Sequence, residues 1–128
     1  MATIIMTELK EKVNALNQLI ISGDTIKGMG RFYADDIEMQ ENEDILRKGK
    51  SVCINTEKDN LQKVKSLESN LLNQAIDEAK SIVFSEWNFL IIYKDNSKFM
   101  LTEVSVQHWL DGQITKEKFY YRNFRRID

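Results

Sequence analysis

A chain of 128 residues suits one domain and buries roughly two-thirds of its unfolded surface, enough for a core without staples. With 18 basic and 20 acidic residues the net charge is −2, which excludes a general polyanion-binding bias. One cysteine, Cys53, cannot make an intramolecular disulfide, and no apolar run reaches the length of a membrane span. Ala2 to Met6 has no basic head and no small-residue cleavage site, so a cytoplasmic protein without a secretory signal is expected. Proline is absent, so element boundaries rest on Gly, Asn and Asp.

Thr7 to Ser22 reads as a helix, with Leu9, Val13, Leu16 and Ile20 on one stripe. Gly23 suits its C-terminal cap, and Asp24 suits the N-cap of a short helix from Thr25 to Tyr33. Asp35-Asp36 reads as the end of that helix. Ile37, Met39 and Glu41 then alternate with Glu38, Gln40 and Asn42, which predicts a strand with Glu41 on its inner face. A turn through Lys48 leads into a helix from Gly49 to about Gln62, where Cys53 reads as a small buried hydrophobe. From Leu61 to Lys80 two patterns compete. Leu61, Val64, Leu67, Leu71 and Ala75 keep helical spacing, while Leu67 to Gln74 also alternate as a strand.

Three strands close the chain: Ile82 to Lys94, Phe99 to Leu110 and Gln113 to Phe124. Asp111-Gly112 predicts a two-residue hairpin loop that sets Val106 opposite Glu117, Val104 opposite Phe119 and Thr102 opposite Tyr121. Asn96-Ser97, taken as a second such loop, sets Trp87 opposite Val106 and Phe89 opposite Val104. The inner face then carries Trp87, Phe89, Thr102, Val104, Val106, His108, Glu117, Phe119 and Tyr121, joined by Met39. A one-residue bulge would invert part of this assignment. Glu117 stands out, because a carboxyl among Trp87 and Phe119 is poorly hydrated and its pKa rises.

Phe32-Tyr33-Ala34-Asp35-Asp36 before an alternating strand resembles a signature of SnoaL-like proteins of the nuclear transport factor 2-like superfamily, relatives of ketosteroid isomerase. Similar matches are Gly23-Asp24, Arg47-Lys48-Gly49-Lys50, Glu86-Trp87-Asn88-Phe89, and Val106 to Ile114 with Phe119-Tyr120-Tyr121. The resemblance runs from about Thr7 to Arg122. It implies a single α+β domain over 1–128, in which a curved antiparallel sheet wraps over the N-terminal helices to form a conical pocket. It also implies a strand near Leu67 to Ala75 and a homodimer through the outer sheet face. Along the shared spacing, the isomerase base falls on Glu41, its tyrosine on or beside Leu16, and its second acid near Val104. A base without both oxyanion donors argues against steroid-type isomerisation.

One Cys and one His are too few for a usual zinc site, and Gly28-Met29-Gly30 is no phosphate loop, so no metal and no cofactor are expected. Arg122, Arg125 and Arg126 read as a solvated tail, with neither nucleic acid nor membrane as partner. The expected function is binding of a small apolar or amphipathic molecule. The alternatives are a cyclase, isomerase or dehydratase with Glu41 as general base and Glu117 or Tyr121 as its partner, and a dimeric interaction domain with a filled core.

Overall fold

The computed structural model describes residues 6–128; the stretch read for a signal, Ala2 to Met6, lies outside them but for Met6. Helix α1 spans Glu8–Ile21, and the Thr7 hydroxyl caps it by accepting from the Lys10 amide at 3.1 Å. Gly23 adopts φ +87°, letting the Asp24 amide turn back to the Leu19 carbonyl at 2.8 Å. The Asp24 side chain does not cap α2 (Thr25–Phe32) as the sequence suggests; it accepts from the Ser22 hydroxyl instead.

Strand β1 (Tyr33–Glu41) begins four residues before Ile37, so Asp35-Asp36 lie within it and not in a turn. A two-residue strand, β2 (Arg47–Lys48), pairs back on β1 and leads into α3 (Lys50–Leu61). The contested stretch is strand, β3 (Val64–Asp77), paired with β4 (Ile82–Tyr93) from end to end. Its helical spacing loses to the ladder that β4 offers, a tertiary override of local pattern. Bulges near Ser66 and between Leu71 and Asn73 break its alternation, which is why neither template fits cleanly. Strands β5 (Lys98–Leu110), β6 (Gln113–Tyr120) and the short β7 (Arg125–Arg126) complete the sheet.

The strand order is β2-β1-β6-β5-β4-β3, with β7 on β5. All pairings are antiparallel but one: β1 and β6 run parallel, so the curved, unclosed sheet is mixed and not purely antiparallel.

Both hairpins depart from the predicted register. The β4–β5 loop is not the two-residue Asn96-Ser97 turn. It is three residues, Lys94-Asp95-Asn96, closed by Tyr93 N–H to Ser97 C=O at 2.9 Å, with Asn96 at φ +69°. Trp87 therefore faces Glu103, and Phe89 faces Leu101. In the β5–β6 hairpin the Asp111-Gly112 turn forms as predicted, with positive φ at both residues and Leu110 paired to Gln113. One extra residue, Thr115, then shifts the ladder, so Glu117 faces Gln107 and Lys116 faces His108. Each error is an odd number of residues, and each flips a strand relative to its neighbour. The two flips cancel between β4 and β6. Only β5 is inverted: Leu101, Glu103, Ser105, Gln107 and Trp109 face inward, and Thr102, Val104, Val106 and His108 face outward.

The core fills the β5–β6 turn end of the molecule. There Val13 and Leu16 of α1 and Met29 and Phe32 of α2 pack with Ile37, Val83, Trp109 and Ile114. Phe32 and Trp109 rings meet at 5.7 Å. Ile114 is fully buried while Leu110, four residues back, is 63% exposed. Ile114→Ala is expected to cost about 2–5 kcal/mol in chemical denaturation. Leu110→Ala is expected to stay within about 0.5 kcal/mol; equal losses would contradict this placement of the core.

Candidate functional site

Beyond that packed end the sheet and helices part around a cavity of about 430 Å³. Trp87, Phe89, Ile91 and Tyr93 of β4 line it with Leu101, Glu103, Ser105 and Gln107 of β5. Met39 and Glu41 of β1, Glu117 and Phe119 of β6, and Tyr121 and Phe124 beyond it also reach the cavity, as does Glu57 of α3. Trp87 and Phe89 stack at 5.9 Å with 13° between their planes.

The most buried carboxyl of the cavity is Glu117, 5% exposed. Tyr33 of β1 donates its hydroxyl to one oxygen, and Gln107 of β5 donates Nε2–H to the other at 2.6 Å. The Gln107 carbonyl oxygen accepts from the Trp109 indole at 3.1 Å. An indole can only donate, so it fixes the orientation of the amide and aims the NH₂ at Glu117. The network satisfies every atom it buries: among the described residues no buried side-chain nitrogen or oxygen lacks a partner. Burial raises the Glu117 pKa, and the two donated hydrogen bonds oppose that rise without cancelling it. The Tyr33 phenol is pushed well above its ordinary value by burial first and by Glu117 second, so it stays a donor.

Nearer the open side, Glu41 pairs with Arg47 at 3.0 Å and is partly exposed. Glu103 makes no hydrogen bond or ion pair among the described residues; burial, then Glu117, Glu41 and Glu57, push its pKa up to about 8. Glu57 is likewise raised, by burial and then by Glu41. Cys53 of α3 is buried in the core, and burial raises its thiol too.

Of the residues singled out in sequence, Met39, Glu41, Trp87, Phe89, Glu117, Phe119 and Tyr121 line the cavity. Thr102, Val104, Val106 and His108 do not: β5 is inverted, and they lie on the outer face, where the Thr102 hydroxyl accepts from Asn88. Gln107, Glu103 and Ser105, which the predicted register turns outward by alternation, line the cavity instead. Tyr33 was missed because it reads as the last residue of a helix. Its signal is local: it precedes Ala34-Asp35-Asp36, whose spacing supports a strand as well as a turn.

No protein-family model matches the chain, and a search of curated proteins finds no match. Solved structures do match. A protein titled a SnoaL-like polyketide cyclase from Mesorhizobium loti aligns with TM-score 0.76 at 20% identity, over 91% of this chain and 100% of its own. A nuclear transport factor 2-like protein of unknown function from Burkholderia pseudomallei aligns with TM-score 0.77 at 10% identity, over 91% and 92%. An LEH-like epoxide hydrolase of M. tuberculosis aligns with TM-score 0.73 at 17% identity, over 90% and 83%. The chain has the SnoaL-like, nuclear transport factor 2-like fold. Within this fold the parallel β1–β6 pairing carries Tyr33 and Glu117 on adjacent strands, which is how the first residue of β1 and one near the C-terminus meet. Among the described residues no helix is long and apolar enough to cross a membrane.

The carboxyl of Glu103 makes stability depend on pH. Its folded pKa of about 8 lies above the unfolded value, so its contribution is full below the ordinary carboxyl pKa and is lost as pH rises toward 8. Glu103→Gln removes the ionisation. Its melting temperature should exceed that of the wild type by about 3 °C or more above pH 8, with the gap closing near pH 4. A gap independent of pH would contradict a buried, unpaired Glu103.

Proposed function

We propose that this protein binds a small apolar or amphipathic molecule in the cavity between its helices and the concave face of its sheet. The observation that carries the reading is the cavity itself. Its aromatic wall stands beside a fully hydrogen-bonded polar floor, the combination of apolar surface and few oriented polar groups that small-molecule sites use. A volume of about 430 Å³ also counts against an interaction domain with a filled core. The names of proteins that share the fold, a polyketide cyclase and an epoxide hydrolase among them, are in keeping with a site that takes organic molecules.

A second reading, proton-transfer catalysis, rests on a different residue from the one the resemblance implies. Glu41 is tied to Arg47 and is a weak candidate base. Glu117 is buried, held on both oxygens and raised in pKa, which suits a carboxyl that gives and takes a proton. Tyr33 hydrogen-bonds it, and Gln107 holds its orientation.

The neutral dye N-phenyl-1-naphthylamine tests the binding reading. It should bind saturably and quench Trp87 by energy transfer. Leu101→Trp fills the cavity from its inner wall and should weaken the dye roughly tenfold or more while the fold persists by circular dichroism. Absence of saturable binding, or an affinity that ignores Leu101→Trp, would overturn it.

A further inference from the structure

We propose that the molecule this cavity takes is an organic cation, an amine or quaternary ammonium group on an apolar body, with its charge against Glu103 and its body along Trp87 and Phe89. The inference rests on the pocket reading above and adds the charge of the ligand. Four carboxyls face the cavity from four elements: Glu41 on β1, Glu57 on α3, Glu103 on β5 and Glu117 on β6. Two basic groups accompany them, Arg47 on β2 and Lys63 after α3. Arg47 is committed to Glu41 at 3.0 Å, and Lys63 is solvent-exposed. Both oxygens of Glu117 are taken by Tyr33 and Gln107. Among the described residues the carboxyls of Glu103 and Glu57 have neither a hydrogen bond nor an ion pair.

The position of Glu103 gives this excess of acid a direction. It is the cross-strand partner of Trp87, whose ring stacks with that of Phe89. A carboxyl beside an aromatic wall attracts a cation twice, by its own charge and by the negative face of the rings. The remaining titratable groups around the cavity are the phenols of Tyr33, Tyr93 and Tyr121, which add rings and hydroxyls but no positive charge. An anion entering here would meet Glu103, which no basic side chain pairs. Burial and the neighbouring acids hold the proton on Glu103 up to about pH 8 in the empty cavity. A cation bound against the carboxylate offsets that cost of charge, so cation binding releases a proton and tightens as pH rises toward 8.

Three probes of one shape separate the cases: (2-naphthylmethyl)trimethylammonium, its neutral tert-butyl isostere 2-neopentylnaphthalene, and 2-naphthylmethanesulfonate. Measured by titration of naphthalene fluorescence with wild-type protein at about pH 9, the cation should bind about tenfold or more tightly than the isostere, and the sulfonate weakest. At about pH 6 the preference should shrink. Glu103→Gln should abolish the preference and its pH dependence while the isostere still binds. If the isostere binds as tightly as the cation at the higher pH, or the sulfonate binds best, the charge inference falls and the pocket reading stands. If none of the three binds, both fall.

Discussion

One buried carboxyl ties this molecule together. Glu117 lies on β6, takes a hydroxyl from β1 and an amide from β5, and through Gln107 reaches the indole of Trp109, which packs on Phe32 of α2. Three strands and a helix therefore agree on the position of one acid. Burying a carboxyl costs several kcal/mol unless partners replace its water, and hydrogen bonds to a charged group return about 1.5–3 kcal/mol each. The pKa direction shows the outcome: the donors lower the cost of charge, yet burial wins.

The network also marks a division within the fold. On the side of the β5–β6 turn, Ile114, Val83 and Ile37 fill the space between sheet and helices. Toward the β4–β5 loop the lining residues Trp87, Phe89, Ile91 and Tyr93 are large, yet they leave the space open. Helix α3, which covers this half, has little apolar stripe: Cys53 is its one buried residue, and Glu57 looks into the cavity. A helix that packed on a closed core would bury a broader face. The interior is thus filled where the turn closes it, and open with acidic walls where α3 lies over it.

Most of the architecture was legible from the chain, and the misreadings share one physical origin. Side chains alternate with period 2, so register matters only through its parity. Asn96 tolerates the left-handed conformation, and that tolerance fits a three-residue loop ending at Asn96 as well as a two-residue loop starting there. Nothing in Gln113 to Lys118 marks Thr115 as a bulge. Two odd errors left Trp87 and Glu117 on the same side, and sent Gln107 and Glu103 outward in exchange for Val104, Val106 and His108. Composition argued for that exchange, since it put valines in and glutamate out. The protein does the reverse because Gln107 is needed against Glu117 and Trp109, a pairing that no single strand reveals. Strand β3 was ambiguous for a similar reason: its partner, not its own pattern, decides it.

The most direct test of this account is the ionisation of Glu117 itself. Carbon-detected NMR of the side-chain carboxyl, assigned with Glu117→Gln, reports its titration midpoint in the folded protein. The account predicts a midpoint clearly above that of an exposed glutamate, and a further upward move in Tyr33→Phe, which removes a donor that favours the charged form. A midpoint at the ordinary value, insensitive to Tyr33→Phe and Gln107→Leu alike, would mean that Glu117 is solvated and that the buried network does not exist.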